Sequence, residues 1–214
     1  MTRSLSLPST PSRSSRSRPE DWWRFLCWID GLGLGLCGDL PGRPEPKLAQ
    51  LEDWIAAGVT HIVDVRGEAS DERFVAEWAP GVDYTWLGTH DDGGTQDAAW
   101  FAHGVTAIRR ALSQPHAKVV VHCHMGVNRA PSMAFAALLD HGYDPVRALD
   151  AIRSARPIAA VLYAEDAVTW WAGTTGTDPA PARRRVRQWH AEHPCDTGWI
   201  ISRIRRAEWD EWGD

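Results

Sequence analysis

Between residues 119 and 139 the chain changes character twice across one short loop. Val119-Val-Val-His122 is a β-branched run suited to a buried strand. Cys123-His-Met-Gly-Val-Asn-Arg129 follows, and then Met133, Phe135, Ala136, Leu138 and Leu139 mark a largely apolar helix. A buried strand, a short loop closed by Arg and a helix N-terminus together make an anion cradle. Loop amides point inward, the helix dipole adds about half a positive charge, and Arg supplies a planar two-pronged donor. Every local influence in such a cradle favours the negative form of Cys123, which is therefore predicted to be a thiolate at neutral pH. A thiolate inside a phosphate-sized nest implies attack on phosphorus.

The rest of the chain alternates strands with helices. Residues 47–57 read as a short helix with Leu48, Leu51 and Ile55 on one face, stopped by Gly58. Residues 60–65 read as a strand ending in a polar run through Asp71, and residues 72–79 as a helix closed by Pro80-Gly81. Another strand over 82–87 leads into the acidic, glycine-containing loop of residues 89–95. A long helix over 97–114 places Phe101, Val105, Ile108 and Leu112 on one stripe, and the strand of 118–122 follows. Further helices are expected over 131–141, from Asp144-Pro145 to Arg156-Pro157, and over 161–171. This alternation specifies an α/β fold with a mainly parallel central sheet flanked by helices. Catalytic loops then belong at the carboxyl ends of the strands.

The 214 residues accommodate one domain with extensions. Residues 1–20, rich in Ser, Arg and Pro, read as a disordered tail without the apolar segment of a secretory signal. Residues 21–173 read as the folded domain. Residues 174–214 read as a linker, by the composition of 173–181, and a helical C-terminal extension whose Arg183, Arg184, Arg185 and Arg187 belong to a solvated face. The 13 Trp are scattered over several helices and are assigned to core and surface packing. A net charge of −5 excludes a general nucleic-acid coat, and no apolar run is long enough to span a membrane. Cys27, Cys37, Cys123 and Cys195 lack paired-motif spacing and are expected as reduced thiols of a cytoplasmic protein. Gly33-x-Gly35-x-x-Gly38 matches a dinucleotide fingerprint by letter, but that mechanism needs a helix directly after the last glycine. Pro41, Pro44 and Pro46 follow instead, which is taken to exclude a helix start there. The segment is assigned to a glycine-rich strand and turn.

His122-Cys123, five residues and Arg129 resemble the signature of the cysteine-based phosphatases, His-Cys-x5-Arg followed by Ser or Thr. The wider pattern is most similar to the dual-specificity group, over roughly residues 28–171 of the folded domain. The resemblance implies a dual-specificity phosphatase-like fold and hydrolysis of phosphomonoesters on protein tyrosine or on both tyrosine and serine/threonine. The substrate would be a phosphorylated protein or a small phosphomonoester, with no metal or other cofactor. Cys123 would be the nucleophile, forming a cysteinyl-phosphate, and Arg129 would clamp two phosphoryl oxygens, a task for the Arg fork rather than Lys. His124, Met125, Gly126, Val127 and Asn128 would bind the phosphoryl group with Arg129, and Gly126 would permit the tight path. None of the variable loop residues is Lys or Arg, which disfavours a headgroup with several phosphates. His122 either holds the loop in place or is a plain core histidine.

The leaving oxygen needs a proton, and related phosphatases place an Asp about thirty residues upstream on a mobile loop. Asp91 and Asp92 stand 32 and 31 positions before Cys123, with Gly93 and Gly94 beside them to let the loop close. Matching Trp100-Phe101 to the aromatic pair usual in the following helix favours Asp91 over Asp92. The chain departs from the pattern at Ala130, where the family has a hydroxyl that helps the thiolate leave, and Ser132 is two residues further along the helix. Slow hydrolysis of the intermediate is expected. A phosphate-reading module with little turnover and a rhodanese-like sulfurtransferase are the alternatives, the second disfavoured by the downstream Arg and upstream acid.

Overall fold

The structure, a computed structural model, describes residues 19–29 and 31–212. The tail expected over 1–20 lies outside these residues, apart from the backbone of Pro19 and Glu20 in a 3-10 turn, Pro19–Arg24. One sheet contains β1 (Cys27–Ile29), β2 (Leu34–Cys37), β3 (His61–Arg66), β4 (Asp83–Thr89) and β5 (Val119–His122), in the order β1-β2-β5-β3-β4. Only β1 runs antiparallel to its neighbour; the β2–β5, β5–β3 and β3–β4 pairs are parallel, as the alternation of elements requires. The central strand is β5, so its carboxyl end opens at the middle of the sheet edge.

The helices are α1 (Pro44–Ala56), α2 (Glu72–Trp78), α3 (Ala98–Leu112), α4 (Arg129–Asp140), α5 (Pro145–Ala155), α6 (Ala164–Thr175), α7 (Ala180–Glu192) and α8 (Thr197–Trp212). Strand side chains alternate between the two faces of the sheet. Val119 and Val121 join the large core with α3, α4, α5 and α6, whereas Val120 meets Leu51 and Trp54 of α1 and Val75 of α2. Both faces of β5 are covered, which is why the strand reads as an unbroken Val run. Every residue of α4 from Arg129 to Leu139 is buried. At roughly 1.5–3 kcal/mol for each large apolar side chain, Met133, Phe135, Leu138 and Leu139 anchor the loop that precedes them. Gly104 of α3 makes room for this helix, since a Cβ there would collide with the Met133 side chain.

The expectation that prolines exclude a helix after Gly38 is corrected. Pro44 opens α1 and Pro46 lies in its first turn, where a missing N–H costs no intrahelical bond. Residues 39–43 still separate Gly38 from that helix, and Gly35 lies inside β2, so no phosphate-binding turn forms. Of the residues expected as a linker, 173–175 complete α6, and 176–179 connect it to α7. Val186 and Trp189 of α7 are buried in the large core. Arg185 also pairs with Asp144, the cap of α5, and Arg183 and Arg187 pair with Glu165. Such exposed pairs contribute about 0–1 kcal/mol each, so the two buried side chains do most to hold α7 in place. No helix among the described residues is long and apolar enough to cross a membrane.

Candidate active site

Strand β5 delivers Cys123 to the sheet edge, and α4 begins at Arg129. The loop between them turns its carbonyls outward. His124 O accepts from Asp39 N at 2.9 Å and Val127 O from Ala160 N at 2.7 Å. Met125 O and Gly126 O accept from the Arg156 guanidinium at 3.1 and 2.6 Å. With four successive carbonyls taken from outside, the N–H groups are left for the enclosed centre, where those of Ala130 and Gly126 favour the Cys123 thiolate. Gly126 has φ +63°, and a Cβ there would strike Cys37 O and Arg156 Nη2, so the path requires glycine.

Arg156 was visible in the sequence only as the end of a helix. It is 1% exposed, and its guanidinium also donates to Phe25 O at 3.1 Å and to Trp23 O, which ties the N-terminal turn to the back of the loop. Arg156→Met would leave these carbonyls without a charged donor, at a cost of about 3 kcal/mol. We expect the thermal midpoint to fall by roughly 6–12 °C. A fall of less than about 2 °C would mean that other contacts hold the loop.

Cys123 is 2% exposed, and the expectation that every local influence favours its thiolate is corrected. Burial pushes the thiol pKa up; Arg129 and the amides of Ala130 and Gly126 oppose this, and the Asp91 carboxylate adds to the rise. Arg129 is itself engaged. Its Nη1 and Nη2 donate to the two Glu68 carboxylate oxygens at 2.6 and 2.7 Å, and Nη1 also donates to Thr89 O at 2.9 Å. This is the bidentate geometry by which Arg binds a phosphoryl group. Burial pushes the Glu68 pKa up, but the Arg129 bonds prevail and hold it at about 2. Glu68 is 43% exposed, so an incoming anion can displace it into solvent. The sequence offered one hint of Glu68: it lies in the polar run after β3, at the same carboxyl edge as Cys123.

The two acid candidates separate clearly. Asp91 Oδ1 accepts from Asn128 Nδ2 and from the Tyr163 hydroxyl, both at 2.7 Å, and Oδ2 lies 3.6 Å from Arg129 Nε. Asp92 instead turns back to accept from Gly94 N at 2.9 Å, capping its own loop. Gln96 N donates to Asp166 of α6 at 3.0 Å, which fastens the far end of the acid loop. Tyr163 was not singled out in the sequence; burial and then the Asp91 bond push its pKa up to about 12.

Asn128 Oδ1 accepts from Leu162 N at 2.7 Å and Ser132 Oγ at 3.2 Å, so one side chain links the cradle, the acid loop and the segment before α6. Val161 in that segment has φ +53°, a strained conformation for a β-branched residue. The bonds of its neighbours Ala160 and Leu162 to the cradle hold it there. Ser132 Oγ is occupied with Asn128 and with Tyr163 N at 3.3 Å, and Ala130 brings no hydroxyl to the sulfur. The Met125 and Val127 side chains pack with Trp23, Ile200 and Ile204, so only their backbone belongs to the cradle.

His122 is fully buried against Trp54, with neither ring nitrogen hydrogen-bonded, and burial lowers its pKa to about 4. It stands as a neutral core histidine 3.8 Å from Asp64, which Arg66 and Tyr84 in turn hold. Among the described residues, no group of three or more His, Cys, Asp or Glu is placed to hold a metal ion.

Comparison with known proteins adds to this geometry. Residues 45–161 match the family described as dual specificity phosphatase, catalytic domain. Dual specificity protein phosphatase 26 of Rattus norvegicus is 30% identical over 102 residues, 47% of this chain and 48% of that protein. Dual specificity protein phosphatase 13B of Homo sapiens is 32% identical over 99 residues, 45% of this chain and 47% of that protein. The chain thus spans about half the length of the curated relatives it matches. Among solved structures, human DUSP28 superposes with a TM-score of 0.57 at 21% identity, covering 70% of this chain and 95% of that one. A mouse putative dual specificity phosphatase complexed with zinc tungstate gives 0.61 at 19% identity, covering 78% and 96%. These likenesses concern the fold, and the family match over residues 45–161 covers the cradle, Glu68 and the acid loop. By that match, over more than half of its length, the chain belongs to the dual specificity phosphatase family.

Proposed function

We propose that this chain hydrolyses phosphomonoesters, on phosphorylated protein or on a small phosphomonoester, through a cysteinyl-phosphate. The observation that carries the proposal is the cradle: four carbonyls tied outward, a cysteine sulfur at its base and the Arg129 fork at its rim. The Cys123 thiolate attacks phosphorus, the S–P bond forms, and the P–O bond to the leaving group breaks. Asp91 supplies the proton that the departing oxygen needs. Arg129 exchanges Glu68 for two phosphoryl oxygens and neutralises charge as they move toward the equatorial plane. In the second half, water attacks phosphorus while the Asp91 carboxylate accepts its proton, and the S–P bond breaks to return the thiolate. The free thiols of Cys27, Cys37, Cys123 and Cys195 support a reducing, cytoplasmic setting.

Ala130 makes the second half the slower one. A thiolate leaves more readily with a hydroxyl donor beside it, and Ser132 Oγ is committed elsewhere. Rapid mixing with para-nitrophenyl phosphate should give a burst of about one equivalent of nitrophenol, followed by slower, vanadate-sensitive turnover. Ala130→Ser should raise the steady-state rate by about tenfold, the value of one added hydrogen bond in the transition state. The same measurement tests a phosphate-reading module, which Ala130 would also suit. Absence of vanadate-sensitive release from both wild type and Ala130→Ser would favour that module over the enzyme.

A further inference from the structure

We propose that Glu208, on the C-terminal helix beyond the segment matched to the family, is a positioning residue of the cradle. It holds the His124 ring where it can take Glu68 over from Arg129 when a phosphoryl group enters. The inference rests on the phosphatase reading above.

Helix α8 is part of the site's wall. Ile200 and Ile204 are buried with Trp23 and Val127, and Met125 and Ala207 pack against the same cluster. Helical spacing then puts Glu208 on the face that carries Ile200 and Ile204. Its Oε1 lies 2.6 Å from Nε2 of His124, the residue directly after the nucleophile. The other ring nitrogen, Nδ1, lies 4.0 Å from Glu68 Oε1. The result is a row of alternating charge, Glu208–His124–Glu68–Arg129, that runs from the C-terminal helix to the fork meant for phosphate.

The row addresses a problem built into the site. Arg129 cannot give both Nη groups to a phosphoryl group while Glu68 holds them, and a cation beside the released Glu68 carboxylate makes that exchange easier than release into solvent alone. A protonated His124 is the cation within reach. The groups facing it are Glu208 from α8, Glu68 from the loop after β3, and Asp39 from the segment after β2, whose Oδ2 is 3.9 Å from Nε2. Arg24 and Arg66 in turn face Asp39. The bond to Glu208 raises the His124 pKa most; burial acts against it, and Asp39 and Glu68 add to the rise. The imidazolium is therefore present below this raised midpoint and is lost as pH rises through it.

Glu208→Gln keeps the hydrogen bond and removes the charge. Two quantities should be followed against pH: the His124 ring resonances by NMR, and the inhibition constant of tungstate, kept dilute and at a pH where it stays the monomeric dianion. The His124 midpoint should fall by about half a pH unit, and the pH at which tungstate affinity declines should fall with it. Between the two midpoints, tungstate should bind about threefold more weakly to the variant, the same shift read as affinity. In a Glu68→Gln background no carboxylate holds the Arg129 Nη groups, so Glu208→Gln should then leave tungstate affinity unchanged. An unshifted His124 midpoint overturns the pairing with Glu208. A shifted midpoint with unshifted tungstate affinity, or an equal effect in the Glu68→Gln background, overturns the exchange. Absence of vanadate-sensitive turnover in the wild type would instead remove the phosphatase reading, and the positioning role with it.

Discussion

Cys123→Ser should abolish vanadate-sensitive release of nitrophenol, by a factor of about 10⁴ or more, while tungstate binds within about threefold of wild type. The two halves of this expectation have separate causes. A serine hydroxyl in the same place holds its proton, so no anion is available to form the bond to phosphorus. The cradle does not depend on the sulfur, because its carbonyls are held from outside by Asp39 N, Ala160 N and Arg156. The loop amides remain to bind oxygen. The sign of the pH dependence follows from Cys123 itself: burial raises its pKa, so kcat/KM should climb as pH increases through the thiol midpoint. Residual turnover above about 1% in Cys123→Ser, with tungstate still bound, would place the nucleophile elsewhere. Loss of both activity and binding would mean that the sulfur supports the loop.

The fold was legible because its signals are local. The Val119–Val121 run, the stripe of Phe101, Val105 and Ile108, and the Asp144-Pro145 cap each mark an element within a few residues. The α/β alternation then orders them. Cys123 and Arg129, the proposed nucleophile and fork, stood out in the sequence for the same reason, lying six residues apart between a strand and a helix. The missed parts act across long separations. Glu68 reaches Arg129 over 61 positions, Tyr163 reaches Asp91 over 72, and Glu208 reaches His124 over 84. No period or cap encodes such pairs; they depend on the order of strands and on where α8 returns. The thiolate expectation missed for a different reason. Counting charges and amides along the sequence omits desolvation, which is the largest influence on Cys123 and acts in the opposite direction. Proline at a helix start misled because its effect depends on position: the residue that breaks an interior turn is welcome in the first one.

Asp91→Asn should lower kcat by about 10²–10³ on an aryl or alkyl phosphate with a poor leaving group, and by much less on para-nitrophenyl phosphate, which departs well without a proton. Asp92→Asn should change both by less than about twofold, the usual scale for an exposed surface substitution. The contrast follows from where each carboxylate is held. Asn128 and Tyr163 fix Asp91 Oδ1, and Oδ2 lies toward Arg129 Nε. Asp92 spends its carboxylate on Gly94 N and has no bond to the cradle among the described residues. An amide in place of Asp91 keeps the shape and can still bond to the Tyr163 hydroxyl, but it cannot deliver a proton. The burst separates this from loss of the second step: without the acid, formation of the cysteinyl-phosphate from a poor leaving group becomes slow and the burst disappears, whereas the effect of Ala130 lies only in its breakdown. If Asp92→Asn carried the loss, the acid loop would have to turn over on binding substrate, breaking both bonds that now hold Asp91.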